Sequence, residues 1–178
     1  MPLFRHLLPA QYLEIDKHLI TNNMELIIIR GAQDSGKTTT AALVHNKLVE
    51  NGATVKLLQM KDNILDAGQY TRDFQSVLDV EKKRIVIISE GDKNDALYDN
   101  MEWYNNEYRP DIMVVCARAY NRSGSSYRML TEYYSNAMRE ENEFWTEYAD
   151  NPTKTVEAKF PIVERIVNRI YEIDIQRK

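Results

Sequence analysis

Four short apolar runs punctuate the chain, and polar or helix-patterned stretches separate them. Residues 25–30, "ELIIIR", are dense in β-branched side chains and predict a buried strand. From residue 38 to about 51 the apolar positions Ala42, Leu43, Val44, Leu48 and Val49 follow helical spacing, and Asn51-Gly52 supplies a helix stop. "TVKLLQM" (54–60), "RIVIIS" (84–89) and "DIMVVCARA" (111–119) predict three further strands. "NDALYDNMEWYNNEY" (94–108) predicts a helix that Pro110 ends.

The remaining segments carry weaker patterns. Residues 9–21 place Tyr12, Leu13, Ile15 and Leu19 at helical spacing after Pro9, which predicts a short N-terminal helix. Residues 66–82 are polar and mixed, and predict a loop with a short helix over 74–80. "YNRSGSS" (120–126) predicts a loop, and 127–150 one long helix or two. "KTVEAKF" (154–160) predicts a fifth strand, and 161–175 a closing helix with Pro161 in its first turn. Alternating strands and helices predict the α/β class. The expected form is a three-layer α/β/α sandwich with a mainly parallel sheet of four or five strands. Ligands of such sheets bind at the carboxyl ends of the strands, so residues just after each apolar run are the ones to inspect.

Length and composition narrow the class. A chain of 178 residues fits one domain, with 1–22 as a helical extension and 120–150 as a lid or helical region. An apolar share of 43% with interspersed charge fits a soluble globular protein. The net charge of −4 gives no electrostatic case for nucleic acid over the whole surface. No run approaches the roughly 20 apolar residues of a membrane helix. The single cysteine, Cys116, excludes an internal disulfide framework and fits a reducing compartment. With no signal-peptide pattern at the start, the expected location is cytoplasmic. A homodimer through the outer helices fits this picture. His6, His18 and His45 are scattered, with no metal-ligand spacing on one element. The aromatic side chains of 98–108 and 127–148 read as packing with polar tips outward.

The chemistry concentrates after the first run. Gly31-Ala32-Gln33-Asp34-Ser35-Gly36-Lys37-Thr38 matches G-x-x-x-x-G-K-[ST] in full. Its glycines let successive backbone N–H groups turn toward phosphate oxygens, and the following helix adds its N-terminal dipole. Lys37 has the reach for β- and γ-phosphates, and the Thr38 hydroxyl is a natural ligand for Mg²⁺. Gln33, Asp34 and Ser35 contribute backbone more than side chain. Asp34 beside a triphosphate is repulsive unless it points away.

In this motif the chain resembles the P-loop nucleoside triphosphate hydrolase superfamily, and is most similar to a small nucleotide or small-molecule kinase. The resemblance implies ATP or GTP bound with Mg²⁺ along 31–39, Thr39 included. No base-reading motif separates the two, and ATP is preferred by frequency alone. It also implies a small-molecule or nucleotide acceptor. In the superfamily a carboxylate at the end of an apolar strand serves the metal. Here "IVIISEGD" offers Glu90 and Asp92, with Ser89 and Glu90 standing where an aspartate is usual, so the ligand is open between those two. Asp62, after the second run, stands where many small kinases orient the acceptor hydroxyl. Arg118, Arg122 and Arg128 follow the fourth run, where similar kinases carry a phosphate-binding lid. An ATPase or GTPase switch, or a nucleotide-binding module in a larger assembly, is the alternative. "LDAGQ" (65–69) and "DKND" (92–95) are weakly similar to GTPase elements. The first lacks one residue; the second has Asp for Asn and follows the wrong strand.

Overall fold

The run at 25–30 is the strand β1 (Glu25–Gly31) of a computed structural model that describes residues 24–60, 73–91, 93–121, 123–147 and 152–175. The predicted helix at 9–21, the "LDAGQ" segment and residues Asp62, Asp92 and Arg122 lie outside the described residues. After β1 come α1 (Lys37–Glu50), β2 (Thr54–Met60), β3 (Phe74–Val80), β4 (Lys83–Ile88), α2 (Asn94–Tyr108) and β5 (Ile112–Arg118). The chain continues through α3 (Ser126–Tyr133), two 3-10 turns, β6 (Glu143–Trp145) and α4 (Pro152–Glu172).

The six strands form one mixed sheet in the order β2-β3-β4-β5-β1-β6. Strands β4, β5, β1 and β6 run parallel to one another, whereas β2 with β3 and β3 with β4 are antiparallel. Side chains alternate across a strand, so β1 feeds two cores. Ile27 and Ile29 pack with Ala41, Val44 and Leu48 of α1 and Ile166 and Ile170 of α4. Leu26 and Ile28 pack on the opposite face with Leu97, Met101 and Tyr104 of α2 and Leu130 of α3. The aromatic Tyr104 and Tyr134 are buried in this second core, as packing predicts.

Three segments depart from the sequence expectation. Residues 74–80 are a strand, not a helix, although Phe74, Val77 and Leu78 also fit helical spacing. The two-residue link Glu81-Lys82, with Glu81 at φ 54, folds β3 back on β4 as a hairpin. Arg84 Nε donates to Asp79 Oδ1 at 3.0 Å across that hairpin, and the pairing holds the Asp79 carboxyl below its ordinary range. The expected four or five strands thereby become six, and the sheet is mixed rather than mainly parallel.

Of the predicted helical stretch 127–150, the described residues 127–147 do not form one long helix or two. The helix α3 ends at Tyr133, and the chain then turns into the short strand β6 beside β1. Asn142, fully buried, explains the break. Its amide donates to Glu25 Oε2 at 3.0 Å and its oxygen accepts from Arg169 Nε at 2.6 Å, tying the turn to β1 and α4. Residues 154–160 belong to α4, not to a fifth strand, and Pro161 lies inside that helix rather than at its start. Pro152 takes the N-terminal position that suits proline. The period-two apolar pattern of 154–160 is overridden by the helical spacing of Val163, Ile166, Val167 and Ile170, which bury against α1 and the sheet. Among the described residues no helix is long and apolar enough to cross a membrane.

His45 joins α1 to the hairpin. Its ring stands edge-on to Phe74 at 5.9 Å, and Nδ1 lies 3.0 Å from Ser76 Oγ. Burial lowers its pKa from the ordinary 6.5. As pH falls, the unfolded chain therefore takes up the proton first. The stability that neutral His45 contributes is fully present above pH 6.5 and is lost as the pH drops from there toward the folded value. His45→Gln is expected to flatten the fall of Tm with acidification below pH 6.5. Thermal melts across that window check this, and an unchanged slope contradicts it.

Candidate functional site

The loop 31–38 leaves the carboxyl end of β1 and enters α1, the helix beneath the first core. Two of its residues take the left-handed region: Asp34 at φ 59 and Gly36 at φ 85. Ser35 N donates to Ala32 O at 3.3 Å, which closes the turn, and Thr40 N donates to Gly36 O at 2.9 Å, which starts the helix. The Lys37 side chain folds back over the loop. Nζ donates to Gly31 O at 3.2 Å and to Ala32 O at 2.6 Å, and the residue is 7% exposed. Ala32, Gln33 and Asp34 are exposed, so Asp34 points to solvent and not into the loop. The N-terminus of α1 opens on the loop, and the helix dipole makes this end electropositive.

The base of the loop is clamped. A Cβ on Gly31 would stand 2.1 Å from Ser35 Oγ and 2.3 Å from Thr146 Oγ1, so any side chain there forces these two hydroxyls to move. The two hydroxyls are 2.7 Å apart, and Thr146 N donates to Arg30 O at 2.7 Å. Arg30, the residue before the loop, is held by Glu143 Oε2 at 2.8 Å and by the Ala119 carbonyl at 2.5 Å. Its guanidinium also lies between Tyr127 at 3.5 Å and Trp145 at 4.2 Å. The short strand β6 and helix α3 thus brace the start of the cradle.

The far wall comes from β3 and β4. Thr38 Oγ1 donates to Asp73 Oδ1 at 3.2 Å, and Ser89 Oγ lies 3.5 Å from the same oxygen. Ser89 is fixed by exchange with Phe74: Ser89 N donates to Phe74 O at 3.0 Å, and Phe74 N donates to Ser89 Oγ at 2.8 Å. Glu90 follows at the carboxyl end of β4, partly buried. Gly91 is pressed onto β5, where an added Cβ would fall 1.8 Å from the Cys116 carbonyl oxygen.

Of the arginines, Arg118 closes on the loop, with Nη1 donating to Gln33 Oε1 at 3.4 Å. Arg128 is exposed and pairs along its own helix with Glu132 Oε1 at 2.7 Å, away from these contacts. Thr39 sits in the first turn of α1. The structure therefore brings together Gly31–Thr39 with Arg118 on one side and the Ser89–Glu90 end of β4, through Asp73, on the other.

Asp73 and Thr146 carry no sequence motif. Asp73 precedes a segment whose apolar spacing reads as helical, and Thr146 lies in a stretch that reads as helix throughout. Recognition of a strand start at Phe74 and a strand end at Trp145 is the signal that finds them.

The donor set suits Mg²⁺. A hydroxyl and carboxylates are hard oxygen ligands, and Mg²⁺ is held by one or two carboxylates together with substrate phosphates. Among the described residues no three His, Cys, Asp or Glu gather as a metal cluster, and such a Mg²⁺ site requires none. Compared with known proteins, the chain matches no family model, no curated sequence and no solved structure.

Proposed function

We propose that the chain binds a nucleoside triphosphate, ATP in preference, with Mg²⁺ at residues 31–39, and passes its γ-phosphoryl group to a small-molecule or nucleotide acceptor. On this reading the sandwich is a P-loop NTPase fold and the protein a small cytoplasmic kinase. One observation carries it: the buried Lys37 ammonium lies across the Gly31 and Ala32 carbonyls at 3.2 and 2.6 Å, over a turn that opens a helix N-terminus. A cation so desolvated is suited to an anion that enters beside it.

In the proposed reaction an acceptor oxygen bonds to the γ-phosphorus. The bond from that phosphorus to the β–γ bridging oxygen breaks, and its electron pair leaves on the nucleoside diphosphate. Lys37 and the first N–H groups of α1 hold the phosphate oxygens, and Arg118 meets the charge that spreads over them. Thr38, with a carboxylate at the edge of β3 and β4, would hold Mg²⁺, which neutralises phosphate charge when bound. The acceptor proton passes to a carboxylate, Asp62 by the sequence or Glu90 at the described edge. Glu90 supports a second reading in which water is the acceptor and the product is free phosphate.

Incubation with γ-labelled ATP or GTP and a panel of small acceptors separates the two readings. Label on an acceptor supports the kinase; label released as phosphate, with none transferred, replaces it with a hydrolase. Under either reading Glu90→Gln is expected to lower turnover by about a hundredfold with little change in nucleotide Kd. Equal loss of both places Glu90 in binding rather than chemistry.

A further inference from the structure

The reversal of β3 delivers a carboxylate to the loop from a strand that runs against its neighbours. We propose that Asp73 is the carboxylate that holds the metal beside Thr38, which leaves Glu90 to position the attacking oxygen. This assignment rests on the reading of 31–39 as a nucleotide site.

Three observations carry it. At the end of β4, where the superfamily resemblance implies a metal carboxylate, the residue directly after the last paired position is Ser89, an uncharged residue whose hydroxyl is already engaged by Phe74 N at 2.8 Å. Because β3 is antiparallel to β4, the residue before β3 lies beside the residue after β4, at the same sheet edge as the loop. Asp73 occupies that place and restores the missing charge, 3.5 Å from the Ser89 hydroxyl.

Distance supplies the third argument. Asp73 Oδ1 lies 3.2 Å from Thr38 Oγ1. Bonds of 2.0–2.1 Å in an octahedron set adjacent ligand oxygens about 2.9 Å apart. The two oxygens therefore accept one Mg²⁺ on neighbouring vertices with a shift of a few tenths of an ångström. Asp73 is half-buried and hydrogen-bonded to Thr38 and Ser89, so its carboxylate is oriented before any ligand arrives. Glu90 is anchored differently. The Gly91 backbone lies against Cys116 of β5, which fixes the chain directly after Glu90 toward the centre of the sheet.

The test is a calorimetric titration of ATP into full-length protein, once in excess Mg²⁺ and once in EDTA, for wild type, Asp73→Asn and Glu90→Gln. Mn²⁺ in place of Mg²⁺, followed by its electron paramagnetic resonance signal, reads the metal directly. Asp73→Asn is expected to lose at least about tenfold of the Mg²⁺-dependent affinity and to weaken Mn²⁺ binding equally. Its affinity in EDTA is expected to stay level or to tighten, because a negative charge near the phosphates is gone. Glu90→Gln is expected to keep the full Mg²⁺ effect. Asp73→Glu, which preserves the charge and shifts it by one methylene, is expected to weaken the Mg²⁺ effect by about threefold, and it reads the site should the asparagine variant fail to fold. A full Mg²⁺ effect in Asp73→Asn, or its loss in Glu90→Gln, overturns the assignment. Absence of ATP binding by wild type in both solutions overturns the nucleotide reading itself, and this assignment with it.

Discussion

Lys37→Ala is expected to weaken ATP binding by at least about a hundredfold. Charge-assisted hydrogen bonds contribute about 1.5–3 kcal/mol each, and the ammonium makes two or more to phosphate oxygens in the proposed complex. Two such bonds amount to roughly 3–6 kcal/mol, and each 1.4 kcal/mol is a factor of ten in Kd. Alanine is a strong helix former and keeps the backbone of α1, and the substitution removes only the side chain that reaches Gly31 O and Ala32 O. Lys37→Met, which keeps the stem and removes the charge, is expected to lose affinity to the same extent. A methionine variant that binds like wild type means the stem's packing, and not the ammonium, matters.

The largest effect on stability is expected from Gly91→Ala. The added Cβ would fall 1.8 Å from Cys116 O and 2.4 Å from Cys116 C, both backbone atoms of β5. That strand is paired to β4 on one side and β1 on the other, and its residues are fully buried from Ile112 to Ala117. It has no room to retreat, so the end of β4 must lift from the sheet and take Glu90 with it. A forced shift of this kind costs about 3 kcal/mol or more. For a chain of this length that lowers Tm by roughly 6–12 °C. Turnover is expected to fall further than stability explains, because Glu90 is displaced in the molecules that remain folded. Calorimetric melts and the labelled-phosphate assay on the folded fraction check both parts. A Tm within about 2 °C of wild type contradicts the packing argument.

The elements legible in the sequence are those whose local pattern and tertiary role agree. Residues 25–30, 84–89 and 111–119 are short apolar runs because β1, β4 and β5 are buried on both faces, and a run buried on both sides has no competing helical reading at that length. The helices over 38–51 and 94–108 are legible because each offers one apolar face to the sheet. The three misread segments share a different cause. Phe74, Val77 and Leu78 are compatible with two periods, and the hairpin turn at Glu81 decides between them through a contact with β4. Residues 143–145 are strand because β1 has a free edge there, which nothing in "EFW" announces. Pro161 marks a helix start by rule, but here the packing of α4 on α1 carries the helix through it.

The site divides along the same line. The cradle Gly31–Thr38 is a contiguous motif, so its residue types and spacing are readable directly. Asp73, Thr146 and the Arg30 clamp reach it through strand order and direction, which local sequence does not encode. Asp34, which reads as a repulsive neighbour of phosphate, takes a left-handed backbone and is exposed to solvent.

The most direct test of triphosphate binding at the cradle is one paired calorimetric experiment. ATP in excess Mg²⁺ is titrated into wild-type protein and into Lys37→Ala protein shown by thermal melting to be folded. Saturable binding to wild type and a Kd at least about a hundredfold weaker in the variant is the predicted result. Equal affinity in the two proteins, or no binding to wild type, contradicts it.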